Sequence, residues 1–274
     1  MSRFTVKDFK ANKGGRIVMV TAYDYPSARL AEAAGVDAIL VGDSVGTVVL
    51  GYGETQPVTL EEMVHHAKAA RRGAGDTFLV ADVPYLADAT FERALASAER
   101  LLKEARADAV KIEGPKLELI ERLVAAGVPV MGHLGLTPQT ASQLGGYKVQ
   151  GRDLKTAKKL LTDARALEAA GAFALVLEMV PAPLAALITE ELRIPTIGIG
   201  SGPGTDGQVL VFHDLLGLFE DFKPRFVKRY LEGAELFRAA LKAYAEDVKS
   251  GRFPEEKHGF ALKDEVLSAL KKGL

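Results

Sequence analysis

The 274-residue sequence predicts an α/β fold, a (β/α)8 TIM barrel forming a single domain over residues 1–274 with extra C-terminal helices. Three observations carry that prediction. The first is a repeated grammar: an Ala-rich amphipathic stretch, a small break, a short β-rich run, then a polar residue. It recurs in "ARLAEAAGVDAILVGDS" (28–44), "AERLLKEARADAVKIEG" (98–114), "IERLVAAGVPVMGH" (120–133) and "DARALEAAGAFALVLEM" (163–179). The second is that the β-rich runs are continuously apolar, as parallel strands covered on both faces require. The third is size. Barrels of this type take about 250 residues, and 48% of the residues here are hydrophobic, enough for a large core.

The Ala/Leu/Glu-rich halves carry apolar residues three and four apart, the spacing of a one-sided helix. Gly35, Gly127 and Gly171 follow them, where a left-handed residue ends a helix. Candidate strands fall near residues 17–22, 38–43, 78–82, 109–113, 128–132, 174–178, 195–199 and 209–212. Most are separated by helix-length segments, and that alternation predicts a closed barrel. The series fits least well at its end. Only "GSGPGTDGQ" separates the seventh and eighth strands, too short for a crossover helix, so a doubly wound open sheet is the alternative. After Pro224, "RFVKRYLEGAELFRAALKAYAEDVKS" and "KDEVLSALKKG" read as helices packing outside the core.

Composition narrows the function. Lys plus Arg (35) nearly balance Asp plus Glu (36), which argues against nucleic acid or an anionic membrane as a partner. The absence of cysteine excludes disulfides, thiolate metal sites and a Cys nucleophile. The opening "MSRFTVKDFKANKGG" has no apolar signal core, and no run approaches the ~18 apolar residues of a membrane span. A cytoplasmic protein is expected.

In a parallel barrel, catalytic groups come from the C-terminal ends of the strands. The second predicted strand ends at Asp43 and Ser44, the third at Asp82, and the fourth carries Lys111 and Glu113. The fifth ends at His133 and the sixth at Glu178. Each has a structural alternative when taken alone. An Asp after a strand commonly caps a helix or makes an Asx turn. Lys111 and Glu113 could pair with each other, and a lone His133 could be structural. Glu178 is harder to dismiss, because apolar residues precede it and an unpaired buried carboxylate is costly. Delivered to one rim, the set predicts an active site.

Asp43, Asp82 and Glu113 offer hard oxygen ligands, which favour Mg2+ or Mn2+. A 2-oxo acid could fill such an ion's open positions through its keto and carboxylate oxygens, with the metal as Lewis acid. A remaining carboxylate would then move a proton, and an apolar strand end is where a carboxyl becomes a better base. "GIGSGPGTDGQ" (198–208) lacks the ending of a P-loop and reads as a flexible rim loop at least as readily as a phosphate loop. His65 and His66 lie on a helix face, and His213 reads as an anchor of the last strand.

Longer motifs add a resemblance. "TAYDYPSARLAEAAGVDAILVGDSVGTVVLGY", "PVTLEEMVHHAKA", "ADVPY", "VKIEG", "VPVMGHLGLTPQ", "LGGYKVQGR", "LVLEMVP" and "IPTIGIGSGPGTDGQVLVFHDLLGL" resemble the ketopantoate hydroxymethyltransferase family, in order, from about residue 4 to 260. The resemblance implies a barrel assembled as a decamer of two stacked pentameric rings. It also implies Mg2+, 5,10-methylenetetrahydrofolate as one-carbon donor, 3-methyl-2-oxobutanoate as acceptor, and a place in pantothenate biosynthesis. Carried across, Asp43 and Asp82 would bind the metal, with Glu113 in its shell directly or through water. Ser44 and Lys111 would hold the substrate carboxylate, Glu178 would be the acid/base, and His133 would share the pocket. The nearest rival is a metal-dependent 2-oxo acid lyase of the phosphoenolpyruvate mutase/isocitrate lyase type. Those enzymes generally use a cysteine-bearing loop, which this chain lacks. A non-enzymatic ligand sensor or scaffold is the rival from another class.

Overall fold

A computed structural model describes residues 5–142 and 145–273. Its centre is a closed, all-parallel barrel of β1 (Ile17–Thr21), β2 (Ala38–Val41), β3 (Phe78–Asp82), β4 (Ala109–Glu113), β5 (Val130–Gly135), β6 (Ala174–Glu178), β7 (Thr196–Ile199) and β8 (Gly207–Leu210). Pairing of Ile17 with Gly207 closes the ring and excludes the open sheet. All eight predicted strands form; β2, predicted to reach Asp43, stops at Val41, and two strands start two residues from their predicted place. β5 starts only after Pro129, which has no N–H for the ladder, and runs on to Gly135. β8 starts at Gly207, where a Cβ would lie 2.7 Å from the Ile17 carbonyl oxygen, so only glycine enters the ladder there.

Helices alternate with the strands: α1 (Val6–Ala11) before β1, α2 (Tyr25–Ala33), then α3 (Val45–Val48) and α4 (Leu60–Gly73) between β2 and β3. Next come α5 (Phe91–Glu99), α6 (Leu117–Ala125), α7 (Leu154–Ala169) and α8 (Ala182–Glu191), and after β8 the short α9 (Phe212–Leu215). Asp24, Thr59, Thr90 and Asp153 cap α2, α4, α5 and α7 by accepting a first-turn N–H. Gly35, Gly127 and Gly171 take the predicted left-handed conformation after α2, α6 and α7.

One core layer lies between strands and helices, and a second fills the barrel. α1 stops the lower mouth. Phe9 is fully buried, with its ring centroid 5.6 Å from that of Phe78 and 5.4 Å from that of Phe173. Asp206 holds the plug in place, accepting from Lys13 Nζ (2.9 Å) and the Gly14 N–H (2.7 Å). Phe9→Ala should therefore cost about 3–5 kcal/mol in urea unfolding, and a smaller loss would mean that α1 is not part of the cooperative core.

The residues of the glycine-rich connection between β7 and β8 pack closely against α8 and the end of β6. Ser201 is buried, donating to Leu177 O (2.8 Å) and accepting from the Val180 N–H (3.1 Å). A Cβ at Gly202 or Gly204 would collide with Ala182 or Ala186 of α8. The glycines thus let the chain run flush along α8. With no helix in this connection, the outer wall near β8 and β1 is thinly covered. Val18 of β1 is 52% exposed, beside a cavity of about 630 Å³ lined by Arg16, Pro203, Gln208 and Phe226.

The C-terminal tail also differs from expectation. Residues 225–232 are not helical, because their neighbourhood bonds outward to the end of α9: the Tyr230 N–H donates to Leu215 O, and Arg229 Nη2 to Phe219 O. Helix begins only at α10 (Gly233–Lys249), followed by α11 (Asp264–Lys272). Among the described residues neither buries an apolar face. α10 buries only Gly233, and α11 buries nothing.

Candidate active site

The upper rim gathers the predicted residues. β2 ends at Val41, and Gly42 turns the chain toward α3. A Cβ at Gly42 would meet Ser44 Oγ at 2.9 Å and Asp82 Oδ2 at 3.5 Å, so glycine keeps that space open. Neither polar residue after it is a cap. Ser44 makes no side-chain capping bond, and its Oγ instead lies 2.8 Å from the Tyr23 hydroxyl. Asp43 accepts from Gln139 Nε2 at 2.8 Å through Oδ2, and its own N–H donates to Asp82 Oδ2 at 3.0 Å.

Strand register does the rest. Asp82 pairs across with Lys111, and Glu113 with His133. Lys111 Nζ lies 3.1 Å from Asp82 Oδ1 and 3.8 Å from Glu113 Oε1, so Asp82, not Glu113, is its main partner. His133 reaches from Glu113 (Nδ1 to Oε1, 3.3 Å) to Glu178 (Nε2 to Oε2, 3.2 Å). Its Nδ1 is also 3.1 Å from Lys111 Nζ. The two demands on Nδ1 are exclusive: an ammonium can only donate, so it needs a bare Nδ1, whereas Glu113 needs Nδ1–H. Burial and the Lys111 charge push the imidazole pKa down, but the bonds to Glu113 and Glu178 outweigh them and hold it at about 9. The ring thus stands within 3.3 Å of both carboxylates, although Nε2 makes no aligned hydrogen bond and Nδ1 is aligned with Lys111.

Burial is the largest single influence on the other charges, and neighbours reverse it at Lys111 and Glu113. It lifts the Asp43 carboxyl well above its ordinary range, and the negative charges of Asp82 and Glu113 add to that. Burial also raises Asp82, with Lys111 opposing. Lys111 itself is pushed down by burial, yet its three acidic neighbours hold it above its usual value. At Glu113, burial is outweighed by the bond to His133 and the charges around it, so its pKa falls. Glu178 differs from expectation. Its side chain is 16% exposed and faces His133, so it lacks the apolar enclosure predicted from its strand.

The donors fit a hard divalent cation. Asp82 Oδ1 is buried with no hydrogen bond and faces only the Lys111 ammonium. Asp43 is joined to Asp82 through its N–H, and both are buried. Among the described residues no cluster of three or more His, Asp or Glu forms a ready metal cage. Mg2+ does not require one, because it is bound through one or two carboxylates and keeps several waters. Glu113 has both oxygens engaged, Oε2 by the Gln139 N–H (3.1 Å) and Oε1 by His133.

Three neighbours escaped the sequence reading. Tyr23, just past β1, is buried and touches Ser44. Gln139, in the turn after β5, touches Asp43 and Glu113. Tyr147 has its pKa raised by burial, to which the charges of Asp43 and Glu178 add. The remaining histidines lie apart from the carboxylates. His66 Nδ1 donates to Tyr23 O (2.7 Å) and His65 is exposed, as a helix face requires. His213 packs its ring 5.6 Å from that of Tyr23.

Asp214, beside it, is pushed up to about 6 by burial, with Arg229 opposing. The fold therefore favours its neutral form. The stability this contributes is present at pH 4 and is lost as pH rises through 6. Asp214→Asn should raise the melting temperature at pH 8 and change it little at pH 4. A pH-independent difference would remove the charge from the explanation.

A family model described as ketopantoate hydroxymethyltransferase matches residues 3–256. A relative named 3-methyl-2-oxobutanoate hydroxymethyltransferase, from Thermus thermophilus, is 67% identical over 260 residues, spanning 94% of this chain and 100% of its own. Two solved structures are similar at fold level. One is 2,3-dimethylmalate lyase, a PEP mutase/isocitrate lyase superfamily member (TM-score 0.58, 17% identity, 100% of this chain and 97% of that one). The other is phosphonopyruvate hydrolase in complex with oxalate and Mg2+ (TM-score 0.61, 13% identity, 98% and 96%). At such identity the structures speak for the barrel alone, while the sequence match over nearly the whole length is specific. This chain belongs to the ketopantoate hydroxymethyltransferase family.

Proposed function

We propose that this enzyme transfers a hydroxymethyl group from 5,10-methylenetetrahydrofolate to 3-methyl-2-oxobutanoate, giving 2-dehydropantoate in pantothenate biosynthesis. The observation that carries the reading is the buried rim cluster of Asp43, Asp82, Lys111, Glu113 and His133, within a chain 67% identical to a protein of that name. Asp43 and Asp82 would hold Mg2+, with Glu113 in its shell through water because its own oxygens are engaged. Bound there, the ion supplies Lewis acidity toward the carbonyl of the oxo acid.

The chain's own groups do the rest. Lys111 neutralises the substrate carboxylate as a point charge, and the Ser44 hydroxyl donates a hydrogen bond to it. Glu178 takes the proton from C3, and His133, 3.2 Å away, orients that carboxylate. Water cleaves the methylene carbon from the folate nitrogens, releasing tetrahydrofolate, and C3 bonds to that carbon, whose oxygen takes up the proton that Glu178 removed.

No helix among the described residues is long and apolar enough to cross a membrane, which supports the cytoplasmic placement in this reading. A homo-oligomer, a decamer of two stacked rings, belongs to the same proposal. α10 presents Leu236, Phe237, Leu241 and Tyr244 to solvent, each more than half exposed, while the wall beside Val18 lacks cover. A second copy supplies apolar surface to both. Light scattering of the full chain should give ten times the 29.3 kDa chain mass.

The decisive assay supplies the oxo acid, methylenetetrahydrofolate and Mg2+, omits each in turn, and identifies the product by mass. Loss of 2-dehydropantoate with every omission is expected. Folate-independent cleavage of a carbon–carbon bond would favour the rival lyase reading, which the shared barrel fold alone cannot separate.

A further inference from the structure

Gln139 is 2% exposed, yet it sits in a short turn, Pro138–Thr140, rather than on a strand. A buried polar side chain in a loop is stable only when its hydrogen bonds are made. Here they converge on the rim acids. Nε2 donates to Asp43 Oδ2 (2.8 Å) and to Val83 O (3.0 Å). The Gln139 N–H donates to Glu113 Oε2 (3.1 Å), and its carbonyl accepts from Gln56 Nε2 (2.7 Å). The orientation of the amide is forced: a carboxylate and a carbonyl both face it, both only accept, and only the nitrogen end can donate.

One residue therefore links β2, the end of β3, β4 and the turn after β5, and it does so at two of the carboxylates assigned to the cation. An Asp on a turn after a strand has rotational freedom about its side-chain bonds. Pinning Oδ2 removes that freedom, and pinning Glu113 Oε2 sets the second carboxylate relative to the first. We propose that Gln139 is the positioning residue of the cation site, holding Asp43 and Glu113 in register before the ion arrives. The inference rests on the cation reading above. Its side chain makes no bond that the chemistry itself needs, so its effect is felt through cation affinity. Partners that orient metal ligands in this way alter affinity by about 10–100-fold.

The test uses the full-length chain and Mn2+ as probe, followed by electron paramagnetic resonance, with melting temperature in chelator measured in parallel. Gln139→Met keeps the length of the side chain and removes both donors. It should raise the Mn2+ dissociation constant about 10–100-fold while the chelated protein still melts cooperatively. Unchanged Mn2+ affinity in a folded Gln139→Met protein, with Asp43→Asn weakening it, would overturn the inference and leave the cation site standing. Unchanged affinity in Asp43→Asn would instead remove the cation site on which the inference rests. If Gln139→Met does not fold, Gln56→Ala cuts only the outer tether to the Gln139 carbonyl. It should weaken Mn2+ about threefold, the size of one modest hydrogen bond, and equal affinity there would also overturn the inference.

Discussion

Glu178→Gln is expected to abolish exchange of the C3 hydrogen of 3-methyl-2-oxobutanoate with deuterium while leaving Mg2+-dependent binding of the oxo acid in place. A positioned general base contributes about 10²–10⁴-fold, so kcat should fall by that much, or about 3–5 kcal/mol of barrier at 1.36 kcal/mol per decade. The substitution keeps the shape of the side chain and removes only its ability to take a proton. Its neighbourhood is permissive, because the Glu178 side chain is 16% exposed and faces the His133 ring. Exchange at the native rate would remove Glu178 from the base role. Exchange lost together with oxo acid binding would point to a binding residue instead.

Asp43→Asn should have opposite effects on activity and on stability. Activity that depends on Mg2+ is expected to be lost, since an amide is a far poorer ligand for a hard cation than a carboxylate. In chelator the variant should melt higher than the parent chain. The Asp43 carboxylate is buried beside Asp82 and Glu113, an arrangement that disfavours its charge, and the amide removes that charge while keeping an oxygen for Gln139. Adding Mg2+ should reverse the order, because an ion that binds only the folded parent stabilises it by about 2.7 kcal/mol at a hundredfold excess over its dissociation constant. Equal melting shifts on adding Mg2+ would show that Asp43 does not hold the ion. Such a crossover is what a site that stores unfavourable charge for function predicts.

Much of the fold and of the rim was legible because both are written in local pattern. A strand covered on both faces must be apolar along its length, so the residue at which the run turns polar marks the end of the strand. Asp43, Asp82, His133 and Glu178 were found in that way, and the register of β3 with β4 and of β4 with β5 then places the acids beside Lys111 and His133. Glu178 shows the limit. Its strand is apolar, but the environment of a side chain at a strand's end belongs to the loops above it, and there it meets an imidazole and some solvent. Gln139 and Tyr23 were missed for a related reason. A Gln after Thr-Pro carries no local sign of burial, and its bond to Asp43 joins residues 96 positions apart.

By itself, the sequence determined the eight-stranded alternation, the identity of the ionisable groups at the strand ends, and, through long ordered motifs, the family. These are properties of periodicity and residue type, which short windows contain. Tertiary structure alone decided that the ring closes between β1 and β8, and that the glycine-rich connection is packed along α8. It also decided that α10 buries only Gly233, and that Lys111 serves Asp82 more closely than Glu113. The physical reason is common to all four. Which groups meet depends on the stagger and curvature of a closed sheet, and those are fixed only when every strand has found its neighbours.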